Sequence, residues 1–219
     1  MNPWVVVPTL GNRDASLVPL LCDAGMQHVV VMTEPRGWPL PLYERGPGEY
    51  GMTTRGGRGH GEPLNSHRWW NLGIDEAVER GADVVVIVND DVRAAPGALL
   101  ELAAHIEAGE LASPVLVWPD NPEHSSVRVT AVTGYCFAID PARIRPDEAF
   151  AWWYGEHDLE LRVLAQQVAT GHGGTMAVPG LDIEHLRTGY HYDRPVQHLI
   201  DLDVALFAQR YPDIMRGKL

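Results

Sequence analysis

The sequence predicts an α/β fold in which a mostly parallel central sheet is flanked by helices, and three observations lead to this prediction. Apolar runs occur at 4–7, within 28–32 after His28 and within 83–88 after Asp83, and such runs are typical of strands buried on both faces of a sheet. Segments with helical periodicity separate these runs. Strands that alternate with helices form right-handed βαβ units and therefore a parallel sheet. The segments of the second half alternate less regularly, so we expect that half to be mixed.

The first predicted strand is a β-branched run that ends at Pro8. A helix is expected at 15–24, because Asp14 can cap its N-terminus and Gly25 can end it. The second strand, 28–32, follows. Residues 34–63 are rich in glycine and proline and have no apolar period, which predicts a long loop. Such a loop either covers a substrate or is a solvated insertion.

A second predicted helix, 65–80, ends at Gly81 and leads into the most apolar strand, 83–88. Pro96 begins a third helix with an apolar stripe. The remaining predicted elements are strands at 114–118, 127–132 and 133–139 and helices at 158–169 and 197–210. We expect this second half to cover the carboxyl ends of the parallel strands, where open α/β sheets bind ligands.

The composition is that of one soluble domain. A chain of 219 residues fits a single compact unit. Its net charge of −12, from 29 acidic and 17 basic residues, creates no broad field that attracts nucleic acid. Cys22 and Cys136 are too few for a disulfide framework. No apolar run reaches the roughly 20 residues that span a bilayer, and the N-terminus lacks signal-peptide features, so we expect a cytoplasmic protein without a membrane span.

Three polar residues, Asn89, Asp90 and Asp91, directly follow the most apolar strand. Two carboxylates at the end of a buried strand are costly unless they are solvated, paired or bound to a cation. Oxygen ligands favour hard ions such as Mg²⁺ or Mn²⁺, which share their coordination with substrate phosphates. An acidic pair in this place is also common in helix caps and loops, so both interpretations stay open.

A second acidic cluster, Gly155–Arg162, lies at the start of a predicted helix. The positive end of a helix stabilises carboxylates, and simple capping is one explanation of the cluster. A carboxylate held there is also suited to act as a general base that removes a proton from a hydroxyl group.

Four segments occur in an informative order: Val5–Thr9 with Arg13, Asn71–Ile74, Asn89–Asp91 and Gly155–Arg162. Together they resemble the family 2 glycosyltransferases and their relatives of the GT-A (Rossmann-like) fold, in register from the first strand to about His185. In that family the metal segment is commonly Asp-x-Asp, so Asn89 departs from the pattern. The resemblance implies a GT-A-like fold for the whole chain.

The resemblance also implies a role for each residue of the site. Asp91 and His185 are the expected metal ligands. Asp158 is the expected catalytic base, with Glu156 as the alternative. The expected nucleotide-sugar contacts are Pro8, Thr9, Arg13, Glu34, Asn71, Asp90 and Gly134. Within one domain, residues 1–93 are expected to bind the nucleotide sugar, and residues 94–219 to supply the acceptor site and the base.

The sequence therefore predicts a glycosyltransferase that uses Mn²⁺ or Mg²⁺ to move a sugar from a nucleoside-diphosphate sugar to an acceptor hydroxyl, with inversion. Two alternatives stay open. A sugar-phosphate nucleotidyltransferase is disfavoured because the segment 8–13 contains a single glycine. A non-catalytic nucleotide-sugar-binding protein is suggested by Asn89 and by the short chain, but it ranks below catalysis because both acidic clusters are present. The acceptor is open, including a modified base although nucleic acid is disfavoured, and so is a homo-oligomeric state.

Overall fold

The computed structural model describes residues 1–9, 26–32, 52–56, 64–107, 111–114, 132–185 and 194–216. Within these ranges the strands are β1 (Pro3–Thr9), β2 (Gln27–Met32), β3 (Met52–Gly56), β4 (Val84–Val88), β5 (Val92–Ala94), β6 (Leu111–Pro114), β7 (Cys136–Ile139), β8 (Thr175–Val178) and β9 (Ile183–His185). The helices are α1 (Ser66–Glu79), α2 (Ala98–Ala104), α3 (Gly155–Thr170), α4 (Arg194–Arg210) and α5 (Pro212–Met215), with a 3-10 turn at His105–Glu107.

The large sheet has seven strands in the order β3-β2-β1-β4-β7-β6-β8. Strand β1 pairs in parallel with both β2 and β4, and β2 pairs in parallel with β3. Strand β7 is antiparallel to both of its neighbours, β4 and β6, whereas β6 and β8 are parallel to each other. The predicted α/β fold, with a mostly parallel sheet and a mixed second half, is confirmed.

The pairing register decides which residues meet at the carboxyl edge of β4. Val6 of β1 lies opposite Ile87 of β4, so Pro8 reaches the same level as Asn89, two residues further along each strand. Cys136 of the antiparallel strand β7 lies opposite Val88. The residues just before Cys136 therefore arrive at this same edge.

The small sheet consists of β5 and β9, which pair antiparallel with Val92 opposite His185. Arg93 and Glu184 face each other across the pair and form an exposed ion pair. Because β5 begins directly after Asp91, this pairing places His185 next to the segment Asn89–Asp91, the candidate metal site.

Both faces of the large sheet are buried, which explains the continuous apolar runs. Val5 packs in one apolar cluster with Leu99 and other residues of α2. Its neighbour Val6 packs in a second cluster with Ile74 of α1 and Leu159 of α3. Central strands such as β1 and β4 therefore carry apolar residues at nearly every position. None of the helices in the described part of the chain combines the length and hydropathy that a bilayer span needs.

The prediction of one long loop at 34–63 is wrong at β3, which lies inside it. This strand pairs with β2 at the edge of the sheet, His28 lying opposite Met52. The glycines on either side of this strand favoured the prediction of a loop. The strand has no local apolar pattern, because it is stabilised by its pairing with β2.

Several predicted boundaries also shift. A strand is expected at 114–118; β6 covers Leu111–Pro114, and residues 115–118 lie outside the described ranges. Helix α3 begins at Gly155, three residues before its predicted start. Residues 133–136 form a tight turn in which the Cys136 N–H donates to the Thr133 carbonyl at 3.2 Å, so β7 starts only at Cys136. The predicted helix at 15–24 and most of the predicted strand at 127–132 lie outside the described residues.

Candidate functional site

The centre of the site is the turn Asn89–Asp91 at the carboxyl end of β4. The side chain of Asp91 is 1% exposed, and its Oδ2 lies 3.2 Å from Nε2 of His185. The β5–β9 ladder places these two side chains together. The two residues predicted to bind a metal are therefore adjacent, although 94 positions separate them in the printed sequence.

His185 is also held from a second side by Tyr135. The two rings stack with centroids 4.7 Å apart and planes 12° from parallel. The Tyr135 carbonyl accepts a hydrogen bond of 2.8 Å from the Asn89 N–H. This contact ties the segment before β7 to the turn after β4, so Asp91, Tyr135 and His185 form one packed unit.

The donor set of this unit fits a divalent cation. A buried carboxylate and an imidazole nitrogen converge, and Mn²⁺ accepts both kinds of ligand. No group of three or more His, Cys, Asp or Glu side chains that could by itself hold a metal ion occurs in the described ranges. Ions such as Mg²⁺ or Mn²⁺ commonly complete such a partial protein set with phosphate oxygens and water.

Glu156 lies next to this unit, on the first turn of α3. A β-carbon built on Gly134 would be 3.0 Å from both Cδ and Oε1 of Glu156, so only glycine at position 134 gives this carboxylate full space. One turn further along α3, Glu160 is buried and its Oε2 accepts from the Val132 N–H at 3.3 Å. Glu156 and Glu160 thus both face the segment that precedes β7.

Asp158 lies on the other side of α3 and is fully buried. Its Oδ2 accepts a hydrogen bond of 2.7 Å from Arg162 Nε. Its Oδ1 accepts from Arg210 Nη1 and from the Tyr211 hydroxyl, both at 2.9 Å. Burial and the hydrogen bond to Asp158 raise the pKa of Tyr211 to about 12. Both carboxylate oxygens are therefore engaged, Oδ2 within α3 and Oδ1 with the C-terminal part of the chain.

Helix geometry separates the two acids that the sequence left as candidates for the base. Successive residues of an α-helix are rotated by about 100°, so positions two apart point in nearly opposite directions. Glu156 faces Gly134, and Asp158 faces Arg210 and Tyr211. Of the two acids, Glu156 is the one directed at the segment that contacts Asn89 and His185.

His67, on the first turn of α1, packs against the start of α3. A β-carbon on Gly155 would lie 1.8 Å from its Nε2, so α3 can pack here only with glycine as its first residue. The imidazole is fully buried. Burial lowers the pKa of His67 below its usual value, against the opposing pull of the Glu156 and Asp203 carboxylates.

A first prediction concerns the pH dependence of stability. The pKa of His67 is lower in the folded chain than in the unfolded chain, so the unfolded chain takes up the proton first as the pH falls below about 6.5. The free energy of unfolding should therefore decrease below that pH, by at most about 1.4 kcal/mol per pH unit. We expect His67→Gln to remove this slope, whereas His172→Gln, at an exposed position, should keep it. Urea unfolding at pH 7.5, 6.5 and 5.5 measures the difference, and equal slopes in the wild type and His67→Gln would contradict the assignment.

The predicted nucleotide contacts are less completely placed. Pro8 is buried at the end of β1, Thr9 is the last residue of that strand, and Asp90 is partly exposed in the turn after β4. Arg13 and Glu34 lie outside the described residues. These sugar and nucleotide contacts stay predictions.

Asn71 has a different environment from the one expected of a sugar contact. Its Nδ2 donates to the Pro146 carbonyl and to Glu148 Oε1, both at 3.0 Å. Its Oδ1 is buried and has no hydrogen-bond donor among the residues that are described. These contacts fix the 146–148 segment to α1, and no contact of Asn71 supports its predicted role in donor binding.

Sequence reasoning missed two residues that shape the site, Tyr135 and His67. Tyr135 follows Gly134 directly, and an aromatic side chain beside a glycine at a strand end is a usable signal. His67 gave no signal, because its importance depends on Gly155, which is far away in the sequence and adjacent only after folding.

Comparisons with known proteins bear on the fold. No family model and no curated protein matches the chain. Among solved structures, TarS from S. aureus aligns with a TM-score of 0.61 and 11% identity over 100% of this chain and 43% of TarS. A TarS fragment in complex with UDP-GlcNAc aligns with a TM-score of 0.54 and 12% identity, over 95% of this chain and 67% of the fragment. The chain thus spans less than half of the TarS chain in the first of these structures.

Two further structures match nearly the whole chain. Glucosyl-3-phosphoglycerate synthase from Mycobacterium tuberculosis, in complex with Mn²⁺, UDP and phosphoglyceric acid, aligns with a TM-score of 0.55 and 13% identity over 97% of this chain and 78% of its own. A protein from Desulfovibrio desulfuricans G20 assigned to the nucleotide-diphospho-sugar transferases aligns with a TM-score of 0.51 and 11% identity over 99% and 98%. The chain therefore has the GT-A-like fold of the nucleotide-sugar transferases.

Proposed function

We propose that this protein is a glycosyltransferase that moves a sugar from a nucleoside-diphosphate sugar to an acceptor hydroxyl. The observation that carries the proposal is the convergence of Glu156, Gly134 and the Asp91–His185 pair at the carboxyl edge of β4. This edge is where open α/β sheets bind their ligands. The structural neighbours, one of them with bound UDP-GlcNAc, support a nucleotide sugar as the donor.

Glu156 is the proposed general base, in preference to Asp158. In the proposed step, Glu156 takes the proton of the acceptor hydroxyl while that oxygen attacks the anomeric carbon of the donor. The bond between the anomeric carbon and the diphosphate oxygen breaks, and the nucleoside diphosphate leaves with the bonding electron pair. A single displacement of this kind inverts the anomeric configuration. Asp158 is unsuited to the task, because three donors already occupy its oxygens.

Asp91 and His185 are the proposed ligands of a divalent cation. When bound, Mn²⁺ or Mg²⁺ would neutralise the negative charge that develops on the leaving diphosphate. The Mn²⁺ present with UDP in the mycobacterial synthase supports this cation as the first to test. Asn89, which replaces an acid of the usual motif, leaves few protein ligands, so we expect cation and nucleotide to bind together more tightly than the cation alone.

The test is a screen of nucleotide sugars with and without Mn²⁺, read by thermal shift and by hydrolysis of the donor. Slow hydrolysis reports the donor before any acceptor is known. We expect one donor to raise the melting temperature and to be hydrolysed only when Mn²⁺ is present. Absence of any metal-dependent response would reject the proposal. Release of pyrophosphate from a sugar phosphate and a nucleoside triphosphate would assign nucleotidyl transfer in its place.

Gly134→Ala provides a more local test of the same site. The new methyl group would lie 3.0 Å from the Glu156 carboxyl group and should push it from its place. Displacement of a reacting group by about 1 Å can cost roughly 100-fold in rate. We therefore expect kcat to fall between about 10- and 100-fold, with a melting temperature close to that of the wild type. Unchanged kcat would mean that Glu156 does not act from this position.

A further inference from the structure

Tyr154, the residue just before α3, has an unusual backbone conformation. Its φ of 62° and ψ of −5° place it in the left-handed region, and it is the one non-glycine residue with positive φ in the described ranges. This conformation is unfavourable for a residue with a β-carbon and persists only when the surroundings enforce it. Gly155 and Glu156 follow immediately, so the angle at Tyr154 sets the direction in which α3 starts.

Helix α4 supplies one of the contacts that enforce this angle. Asp203 is 2% exposed, and its carboxylate accepts hydrogen bonds from the backbone N–H groups of Ala151, Trp152 and Trp153 at 2.9, 2.7 and 2.7 Å. Three consecutive peptide groups are thereby oriented toward one side chain. The chain is fixed in direction up to the residue that precedes Tyr154.

Phe207, one turn after Asp203 on α4, holds Tyr154 itself. The rings of Phe207 and Tyr154 stack at 4.7 Å with an interplanar angle of 28°. His157 packs edge-on against Tyr154 at 5.4 Å and contacts Phe207 at 6.3 Å. Phe207 is 1% exposed, so its ring has little freedom to move and Tyr154 is confined with it.

The remaining contacts of the C-terminal segment act on the same helix start. Arg210 and Tyr211 bind Asp158, and Arg210 also pairs with Asp147 at 2.7 Å. The His67 ring of α1 fills the space beside Gly155. The first turn of α3 is therefore packed against both α1 and α4, and the Glu156 side chain points from it toward Gly134.

We propose that Asp203 and Phe207 are positioning residues, which fix Tyr154 in its left-handed conformation and thereby hold Glu156 beside Gly134. The proposal rests on the role of Glu156 proposed above. Without the stacking and the three hydrogen bonds, Tyr154 relaxes toward ordinary backbone angles. The first turn of α3 then rotates, and the Glu156 carboxylate leaves the acceptor hydroxyl.

The kinetic test uses Phe207→Leu, which keeps an apolar side chain but removes the stacked ring. We expect kcat of transfer to fall about 10- to 100-fold, the cost of a small misplacement of a reacting group. The KM of the donor should stay within about twofold, because donor and cation bind at the other elements of the site. Asp203→Asn leaves a single carbonyl oxygen to accept from three N–H groups, so it should also lower kcat. It replaces Phe207→Leu in the test if that variant does not fold.

The matched control is Val163→Ala on the same helix. Val163 is fully buried, and lies about 12 Å along the axis from the start of α3 at a rise of 1.5 Å per residue. The Val163→Ala variant should have a lower melting temperature and an unchanged kcat. Tyr154→Phe, which keeps the ring, should retain kcat as well. Loss of kcat in Val163→Ala equal to that in Phe207→Leu would show general destabilisation and overturn the proposal.

A second measurement does not depend on catalysis. In a background with Cys22 and Cys136 replaced by alanine, the pair Gly134→Cys and Glu156→Cys should form a disulfide under mild oxidation. We expect Phe207→Leu to slow this reaction several-fold and Val163→Ala to leave it unchanged. Equal rates in the two variants would overturn the positioning role. A wild type that turns over no donor would reject the proposed function, while the disulfide rates would still decide whether Phe207 places residue 156 beside residue 134.

Discussion

Glu156→Gln is expected to lower the rate of sugar transfer by about 100- to 10,000-fold, the usual contribution of a positioned general base. Glutamine has the size of glutamate and cannot accept the acceptor proton. Its amide still fits beside Gly134, so the melting temperature and the affinity for donor and Mn²⁺ should stay near the wild-type values. Initial rates at saturating donor, together with the thermal shift induced by the donor, measure both effects.

Asp158→Asn is the comparison that gives this result its meaning. It removes the negative charge opposite Arg162, Arg210 and the Tyr211 hydroxyl, and a buried carboxylate with such partners contributes to stability. Because the two arginines are partly exposed, we expect a loss of about 1–3 kcal/mol and not the larger cost of a fully buried pair. Activity per folded molecule should fall less than in Glu156→Gln. The reverse order, with Asp158→Asn inactive but stable and Glu156→Gln active, would assign the base to Asp158.

The sequence alone could not choose between these two acids, and the physical reason is clear. Both residues sit in the first turn of one helix, so their surroundings depend on how that helix is rotated about its axis. Among the contacts that fix this rotation are those of Asp158 with Arg210 and Tyr211, which lie more than 50 residues further along the chain. No local pattern near residue 156 contains that information.

The metal-candidate pair was more accessible to sequence reasoning. Asp91 was identified because carboxylates that end an apolar strand need a partner, and His185 because of its place in the resemblance. The contact between them depends on the β5–β9 ladder. Its strands, Val92–Ala94 and Ile183–His185, are too short to be recognised from periodicity.

The positions of the central strands were predictable for a different reason. Strands such as β4, buried at every position, leave continuous apolar runs that few other structures produce. An edge strand such as β3 has no comparable signature, because pairing on one side does not require an apolar pattern. Strands that are buried on both faces could therefore be predicted from the sequence, whereas strands held mainly by pairing with a neighbour could not.

Asp91→Asn is expected to abolish the Mn²⁺-dependent part of donor binding and to reduce turnover at least about 100-fold, since it removes the charged ligand that the proposed metal site depends on. Asparagine keeps the shape of the turn and can still hydrogen-bond to His185, so the fold should persist. The measurement is the thermal shift produced by UDP with Mn²⁺, followed by the rate of donor hydrolysis.

Glu184→Gln is the matched control, because it makes the same change in charge one residue from His185. Glu184 is exposed and forms an ion pair with Arg93 across the β5–β9 ladder. Exposed ion pairs contribute little to the free energy of unfolding, so this variant should stay folded. A general electrostatic effect would weaken Mn²⁺ binding in both variants, whereas direct coordination weakens it only in Asp91→Asn. Full Mn²⁺ response in Asp91→Asn would remove Asp91 from the metal site and leave its contact with His185 as a hydrogen bond that fixes β9 to the turn after β4.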